Sequence, residues 1–216
     1  DVKIDKKQVT HTPEICKSED IVIEKSNEDI ETYFHEIGLT PSALNEYIKC
    51  PLKFYYTYIK GIREQSEVAT TLDAAQLGRV FHTVMELIYT PLKDKVVTTH
   101  DLSKYTKEKI EELTYKAVVF TLYDLKKIED VEKISYQITG ENKILFEIIV
   151  EMVINMLECD KKRTPFTHIS CENKYKTDYT TTNENKIVLK GFIDKVDETK
   201  DAVHLIDYKT TKLIDN

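Results

Sequence analysis

Gly191-Phe192-Ile193-Asp194-Lys195-Val196-Asp197, followed after a polar break by Leu205-Ile206-Asp207-Tyr208-Lys209, is the stretch on which the reading of this chain turns. Apolar runs on either side of the turn-forming residues 198 to 201 predict two antiparallel strands joined by a tight hairpin. Alternate side chains of a strand share a face, so Asp207 and Lys209 project together and Tyr208 projects away. If Glu198 faces Asp201 across the turn, 194 faces 205 and 192 faces 207. Asp194 is then a diagonal neighbour of Asp207, about 6–7 Å away between Cβ atoms. Two carboxylates so spaced reach one hard divalent cation, and the Tyr208 backbone carbonyl is placed to add a third oxygen. A cation held there binds a phosphate oxygen and acidifies a water for in-line attack, while Lys209 steadies the charge that develops on phosphorus. The competing reading is two solvated acids near a turn with Lys209 as their ion-pair partner. Against it, Gly191 is read as a point of close approach, and the apolar runs mark inner strands, where bare acids are costly unless paired or metal-bound.

Working outward, strands are expected over 167–178, 186–196 and 202–208, with Thr180 to Asn185 as a flexible hairpin tip. Upstream the period changes from two to that of a helix. Leu77, Val80, Phe81, Val84, Leu87 and Ile88 recur at helical spacing between Ala74 and Tyr89, which puts Gly78 and His82 on one helix, the glycine marking close approach. Further helices are expected over 103–128 and 141–159, the second apolar on most faces and so largely buried. Before them comes a broken helical pair. Ser42 is read as the N-cap of the first member, with Leu44, Tyr47 and Ile48 on one face; Pro51 restarts the chain and Gly61 ends it. Residues 1–38 lack strong periodicity and read as a linker or the remnant of a preceding domain. The main domain is expected over 39–216, helical to about 165 and a β-meander over about 166–212, an α/β (α+β) fold with a helical insert before the strands.

The formal charge of −7 and pI of about 5.5 argue against a simple nucleic-acid-binding module, which is usually basic because Lys and Arg make its phosphate contacts. The acid is uneven, with eleven Asp or Glu in residues 1–48 and none in residues 49–63. Lys49, Lys53, Lys60 and Arg63, with Tyr56 among them, are therefore the expected local DNA contacts, whereas Phe54, Tyr55 and Tyr58 fit a core. No apolar run is long enough to span a bilayer and the first residues are not signal-like, so a cytoplasmic protein without membrane contact is expected. The four cysteines lie far apart with no CxxC pair, which fits neither a zinc site nor a disulfide scaffold. The absence of an initial Met and the stop soon after Lys209 suggest a piece of a longer chain.

The succession from Gly191 to Asp197 and from Leu205 to Thr211 resembles the strand pair of the RecB-like branch of the PD-(D/E)XK nucleases. Leu39 to Tyr56 looks like that family's opening helix, and Leu77-Gly78-Arg79-Val80-Phe81-His82 like its histidine motif; the four blocks stand in the family's order between about residues 39 and 212. The resemblance implies a restriction-endonuclease-like core, with a central mixed β-sheet flanked by helices. It implies metal ligation by His82, Asp194 and Asp207, with Mg²⁺ or Mn²⁺ as the ion and Lys209 as the catalytic lysine. Glu172 resembles a further acidic position that assists the site, and Glu86, one turn after His82, is a second accessory acid or that histidine's pairing partner.

Function follows as an expectation: a divalent-metal-dependent DNA nuclease, an exonuclease in repair or recombination that works on DNA ends, single strands included, with a helicase partner or a fused helicase-like domain. The alternative is a non-cleaving nuclease-fold module that binds DNA or docks in a repair complex. Two features depart from the family. The usual Gln- and Tyr-bearing helix after the lysine strand has no room before Asn216. The further cysteines that hold a 4Fe-4S cluster in some relatives have no counterpart, so Cys50 is expected to be packed and no cluster is expected in this chain.

Overall fold

The computed structural model describes residues 24–62 and 71–210. Four strands form one antiparallel sheet in the order β1-β2-β3-β4, with β1 Lys95–Val97, β2 Phe166–Thr180, β3 Lys186–Glu198 and β4 Val203–Ile206. The sheet is mixed only through a single parallel bridge, in which Leu39 N–H donates to the Val188 carbonyl at 2.8 Å and Lys190 N–H to the Leu39 carbonyl at 2.9 Å. The α/β class and the helices ahead of the meander are as expected; β1 and its place beside β2 are additions.

The helices are α1 Asn27–Thr32, α2 Pro41–Lys49, α3 Pro51–Phe54, α4 Ala74–Tyr89, α5 Thr99–Ser103, α6 Lys107–Leu122 and α7 Glu141–Arg163, with π-helical turns over Tyr33–Ile37 and Tyr55–Ile59. Helix α4 starts where its cap dictates: Asp73 accepts from Gln76 N–H at 2.7 Å, and the Gln76 side chain accepts from Asp73 N–H at 3.0 Å. Its Val80, Phe81, Val84 and Ile88 enter the main core with Ala117 and Val118 of α6, Ile149, Val150, Val153 and Leu157 of α7, and Phe166 of β2. Helix α2 begins earlier than expected, since Thr40 rather than Ser42 caps it by accepting from Ala43 N–H at 3.1 Å. Leu44, Tyr47 and Ile48, which share one face of this helix in the sequence reading, are 44%, 49% and 71% exposed. Helix α7 buries one stripe only, leaving Ile144 and Ile148 exposed.

Residues 27–37, ahead of the expected boundary, are helical and belong to the fold's second cluster. Tyr33 is buried there, edge-on to Phe54 with ring centroids 5.5 Å apart. The chain then turns at Gly38, φ +92°, where a Cβ would sit 2.8 Å from Val188 Cγ1, so only glycine fits. No described helix is long and apolar enough to cross a membrane.

Beneath β3 lies a buried charge network. Lys195 Nζ donates to Asp160 Oδ2 at 2.7 Å and lies 3.1 Å from Asp197 Oδ2. Arg163 reaches Asp160 Oδ1 at 2.8 Å and Asp197 Oδ2 at 3.3 Å, and Tyr89 Oη donates to Asp160 Oδ2 at 2.5 Å. His168 Nδ1 is 3.0 Å from Asp197 Oδ1, and the Lys195 ammonium sits 3.8 Å from the Tyr89 ring centroid. Two acids face two bases with His168 beside them, and the network ties β3 to α4 and α7 one residue away from Asp194.

Candidate metal centre

The site assembles where α4 crosses β2 and β3. Its three donors are His82 of α4, Glu172 of β2 and Asp194 of β3, with one ligand atom of each lying within 4.8 Å of the others. His82 Nδ1 is 2.8 Å from Glu172 Oε1 and 3.8 Å from Asp194 Oδ2. Asp194 is 8% exposed, and its Oδ2 accepts from Tyr208 N–H at 2.6 Å.

Two backbone features aim these side chains. Strand β2 shifts register between His168 and Ser170, a bulge that re-aims the residues following it. Glu172 adopts φ +50°, a left-handed conformation that costs a non-glycine residue about 1–2 kcal/mol. Such strain persists only where the surroundings hold it, and here the Glu172 side chain is engaged by His82. On α4, Gly78 lets the chain beyond β4 approach, since a Cβ there would lie 3.1 Å from Thr210 Oγ1. An open cleft of about 560 Å³ lined by Gly78, Arg79, His82, Glu172 and Thr210 leads to the donors.

Electrostatics show a site short of positive charge. Burial raises the Asp194 carboxyl above its ordinary value; the Tyr208 N–H and His82 work against this, and Glu172 and Asp207 add to it. The hydrogen bond with Glu172 raises His82, against burial, with the charges of Glu172 and Asp194 helping. Glu86 is raised by burial and then by Glu172, but it is outside the donor group.

Several sequence expectations change here. The β3–β4 loop spans Thr199 to Ala202, closed by Thr199 N–H donating to the Ala202 carbonyl at 2.9 Å, and Glu198 pairs with Val203 rather than facing Asp201. The register therefore moves by two residues: Lys195 pairs with Ile206, and β4 ends before Asp207. Asp207 and Lys209 do project together, with Lys209 Nζ 2.8 Å from Asp207 Oδ1 and 2.6 Å from Oδ2, while Tyr208 turns into the core against Phe81. Both Asp207 and Lys209 are exposed, so the structure brings Glu172, not Asp207, to Asp194 and His82. The Tyr208 backbone meets the site twice: its N–H donates to Asp194, and His82 is hydrogen-bonded to the Tyr208 backbone. Nothing approaches Gly191 within 4 Å of an added Cβ, so close approach is not its role.

The expected DNA contacts are only partly free. Lys53 pairs with Glu46 at 3.4 Å, Lys60 is bound to Asp29, Lys49 is exposed and Tyr56 half-buried. Arg63 lies outside the described residues. Phe54 and Tyr55 are buried, as a core reading requires. Cys50 is exposed rather than packed. The residues missed altogether belong to the buried network. Asp160 had a signal: it continues at helical spacing the buried stripe of Ile149, Val153 and Leu157.

The sequence pattern of one family, the PD-(D/E)XK nuclease superfamily, matches residues 38–214. Among curated proteins, the chain is 23% identical over 194 residues to a component of the ATP-dependent helicase/deoxyribonuclease of Oenococcus oeni, covering 81% of this chain and 16% of that protein. It is 26% identical over 192 residues to the protein of the same name from Clostridium novyi, covering 82% of this chain and 16% of that one. The chain thus spans a small part of the length of these relatives.

Proposed function

This chain belongs to the PD-(D/E)XK nuclease superfamily, and we propose that it is a divalent-metal-dependent deoxyribonuclease domain acting with a helicase partner or a fused helicase-like segment. The observation that carries the reading is the convergence of His82, Glu172 and Asp194 from three elements on one point. Two carboxylates and an imidazole, with Asp194 short of compensating charge, suit a divalent cation with oxygen and nitrogen ligands; Mn²⁺ accepts the imidazole more readily than Mg²⁺, which prefers oxygen. When bound, such an ion supplies Lewis-acid stabilisation of phosphate oxygens and acidifies water.

The chain's own residues set the rest. Asp194 is fixed by the Tyr208 N–H, and the hydrogen bond between His82 and Glu172 keeps these two donors together. Lys209 has its pKa raised, chiefly by its hydrogen bond with Asp207, so it stays an ammonium at neutral pH. Its role is therefore to stabilise charge on the phosphate, not to remove a proton. Asp207 is assigned as a further ligand, its exposed side chain free to leave Lys209 and turn toward Asp194. The relatives' name pairs a helicase with a deoxyribonuclease, and we extend it to an exonuclease in DNA repair or recombination, working in the cytoplasm on ends that a motor delivers; the chain's acidity fits, since a delivered strand needs little independent affinity.

One observation favours a second reading, a non-cleaving DNA-binding or docking module: the Asp207–Lys209 pair is closed on itself and held out in solvent. Degradation of linear single- and double-stranded DNA with Mg²⁺ or Mn²⁺ separates the two. Cleavage that Asp207→Ala and Lys209→Ala abolish supports the nuclease; no cleavage by wild type, or equal cleavage by all three proteins, removes it.

A further inference from the structure

Beyond the metal centre, the β2–β3 ribbon carries a cluster of basic side chains around a bare aromatic ring. Lys174 pairs across the ribbon with Phe192, and Lys176 with Lys190. Because the members of each strand are two residues apart, all four side chains leave one face. Among the described residues none of the three lysines forms a salt bridge, and Lys176 donates only to the Glu36 carbonyl, at 3.2 Å. Like charges directly opposed on a sheet are destabilising. Here the crowding registers on Lys190, whose pKa is lowered by burial and then by Lys174 and Lys176. Phe192, at the end of the group nearest Asp194, is 65% exposed. The ordinary explanations fall short. Solvating lysines would be expected to alternate with acids on so acidic a chain, and lysines that merely guard a sheet edge do not need a bare aromatic ring among them. Apart from Glu172 and Asp194 at the metal centre, the acids among the described residues on that face of the ribbon are Asp178, farther out on β2, and Glu198, at the opposite end of β3 beyond Asp194.

We propose that Lys174, Lys176, Lys190 and Phe192 form a single-stranded nucleic-acid track leading into the metal centre, with the lysines on phosphates and Phe192 stacked under a base. Asp194 is the next residue of the same row on β3, two positions or about 7 Å beyond Phe192, so a strand held on the track runs toward the carboxylates. The pairing of cationic side chains with an exposed aromatic is the chemistry that single strands use: phosphate charge for the lysines and an accessible base face for the ring, which a duplex hides. The track replaces Lys53 and Lys60, already neutralised by Glu46 and Asp29, as the main DNA contact. It rests on the nuclease reading but concerns binding, which can be measured without turnover.

The test is fluorescence anisotropy with a labelled single-stranded oligonucleotide in EDTA across a salt series. Wild type is compared with Phe192→Ala, Lys174→Ala/Lys190→Ala and, as a charge control, Lys109→Ala/Lys116→Ala on α6. The track predicts about tenfold weaker binding for Phe192→Ala at every salt concentration. It predicts a salt slope shallower by about 0.7 per lysine removed for the ribbon variant, and wild-type behaviour for the control. Equal affinity in all four proteins, equal loss in the control, or no binding by wild type overturns it. Binding that follows the prediction in a protein that never degrades DNA leaves the track standing and the hydrolysis refuted; cleavage with unaltered binding does the reverse.

Discussion

The backbone N–H of Tyr208 donates to Asp194 Oδ2 at 2.6 Å, joining the two halves of the motif directly. The chain leaving β4 crosses Asp194, and the buried Tyr208 ring, 5.4 Å from that of Phe81, anchors the crossing in the core. The carboxylate is thus held by packing rather than by Asp207. That leaves Asp207 and Lys209 exposed at the rim and Asp194 fixed before any ion or substrate arrives.

The network under β3 should be the costliest place to remove one charge. Lys195→Met takes from Asp160 and Asp197 the ammonium they share, leaving them Arg163, the Tyr89 hydroxyl and His168, and a broken buried pair costs about 3–5 kcal/mol. Urea denaturation should show that loss, with partial recovery when Asp160→Asn is added. A loss below about 1 kcal/mol would mean that the charges are hydrated.

Strain at Glu172 separates two substitutions that remove the same carboxylate. Glycine accepts φ +50° and alanine does not, so Glu172→Gly should be more stable than Glu172→Ala by about 1 kcal/mol in thermal or urea unfolding. Equal stabilities would place Glu172 in an ordinary strand conformation.

Acid should weaken the fold through Asp197. Burial alone would raise its carboxyl, but the His168 hydrogen bond and Lys195 more than offset this and hold it below the ordinary 3.8. A depressed folded-state value contributes stability that is present in full above the ordinary value and lost as pH falls through the depressed one. Denaturation midpoints should therefore drop below about pH 4, and Asp197→Asn, less stable at neutral pH, should show a shallower drop. Parallel pH profiles for the two proteins would contradict this.

Much of this was legible because periodicity reports burial. The α4 stripe from Leu77 to Ile88 defines a helix with the same ends in sequence and structure, and alternation around Asp207 gives its shared direction with Lys209. The register was not legible, since a four-residue loop and a two-residue turn differ in geometry that Glu198 to Asp201 do not encode. Glu172 enters only through the family resemblance, as an assisting acid, because strand alternation assumes extended backbone and its conformation is left-handed, with its hydrogen-bond partner 90 residues away. The pairing of Asp160 with Lys195 was not legible because it is tertiary.

Whether His82, Glu172 and Asp194 together hold a cation is decided by Mn²⁺ binding, measured by titration calorimetry on the wild type and on His82→Ala, Glu172→Gln and Asp194→Asn. Saturable binding to the wild type is expected, with affinity weakened at least about tenfold in each variant and circular dichroism unchanged. Wild-type affinity in all three variants, or no Mn²⁺ binding by the folded wild type, would show that the three donors do not form a metal centre.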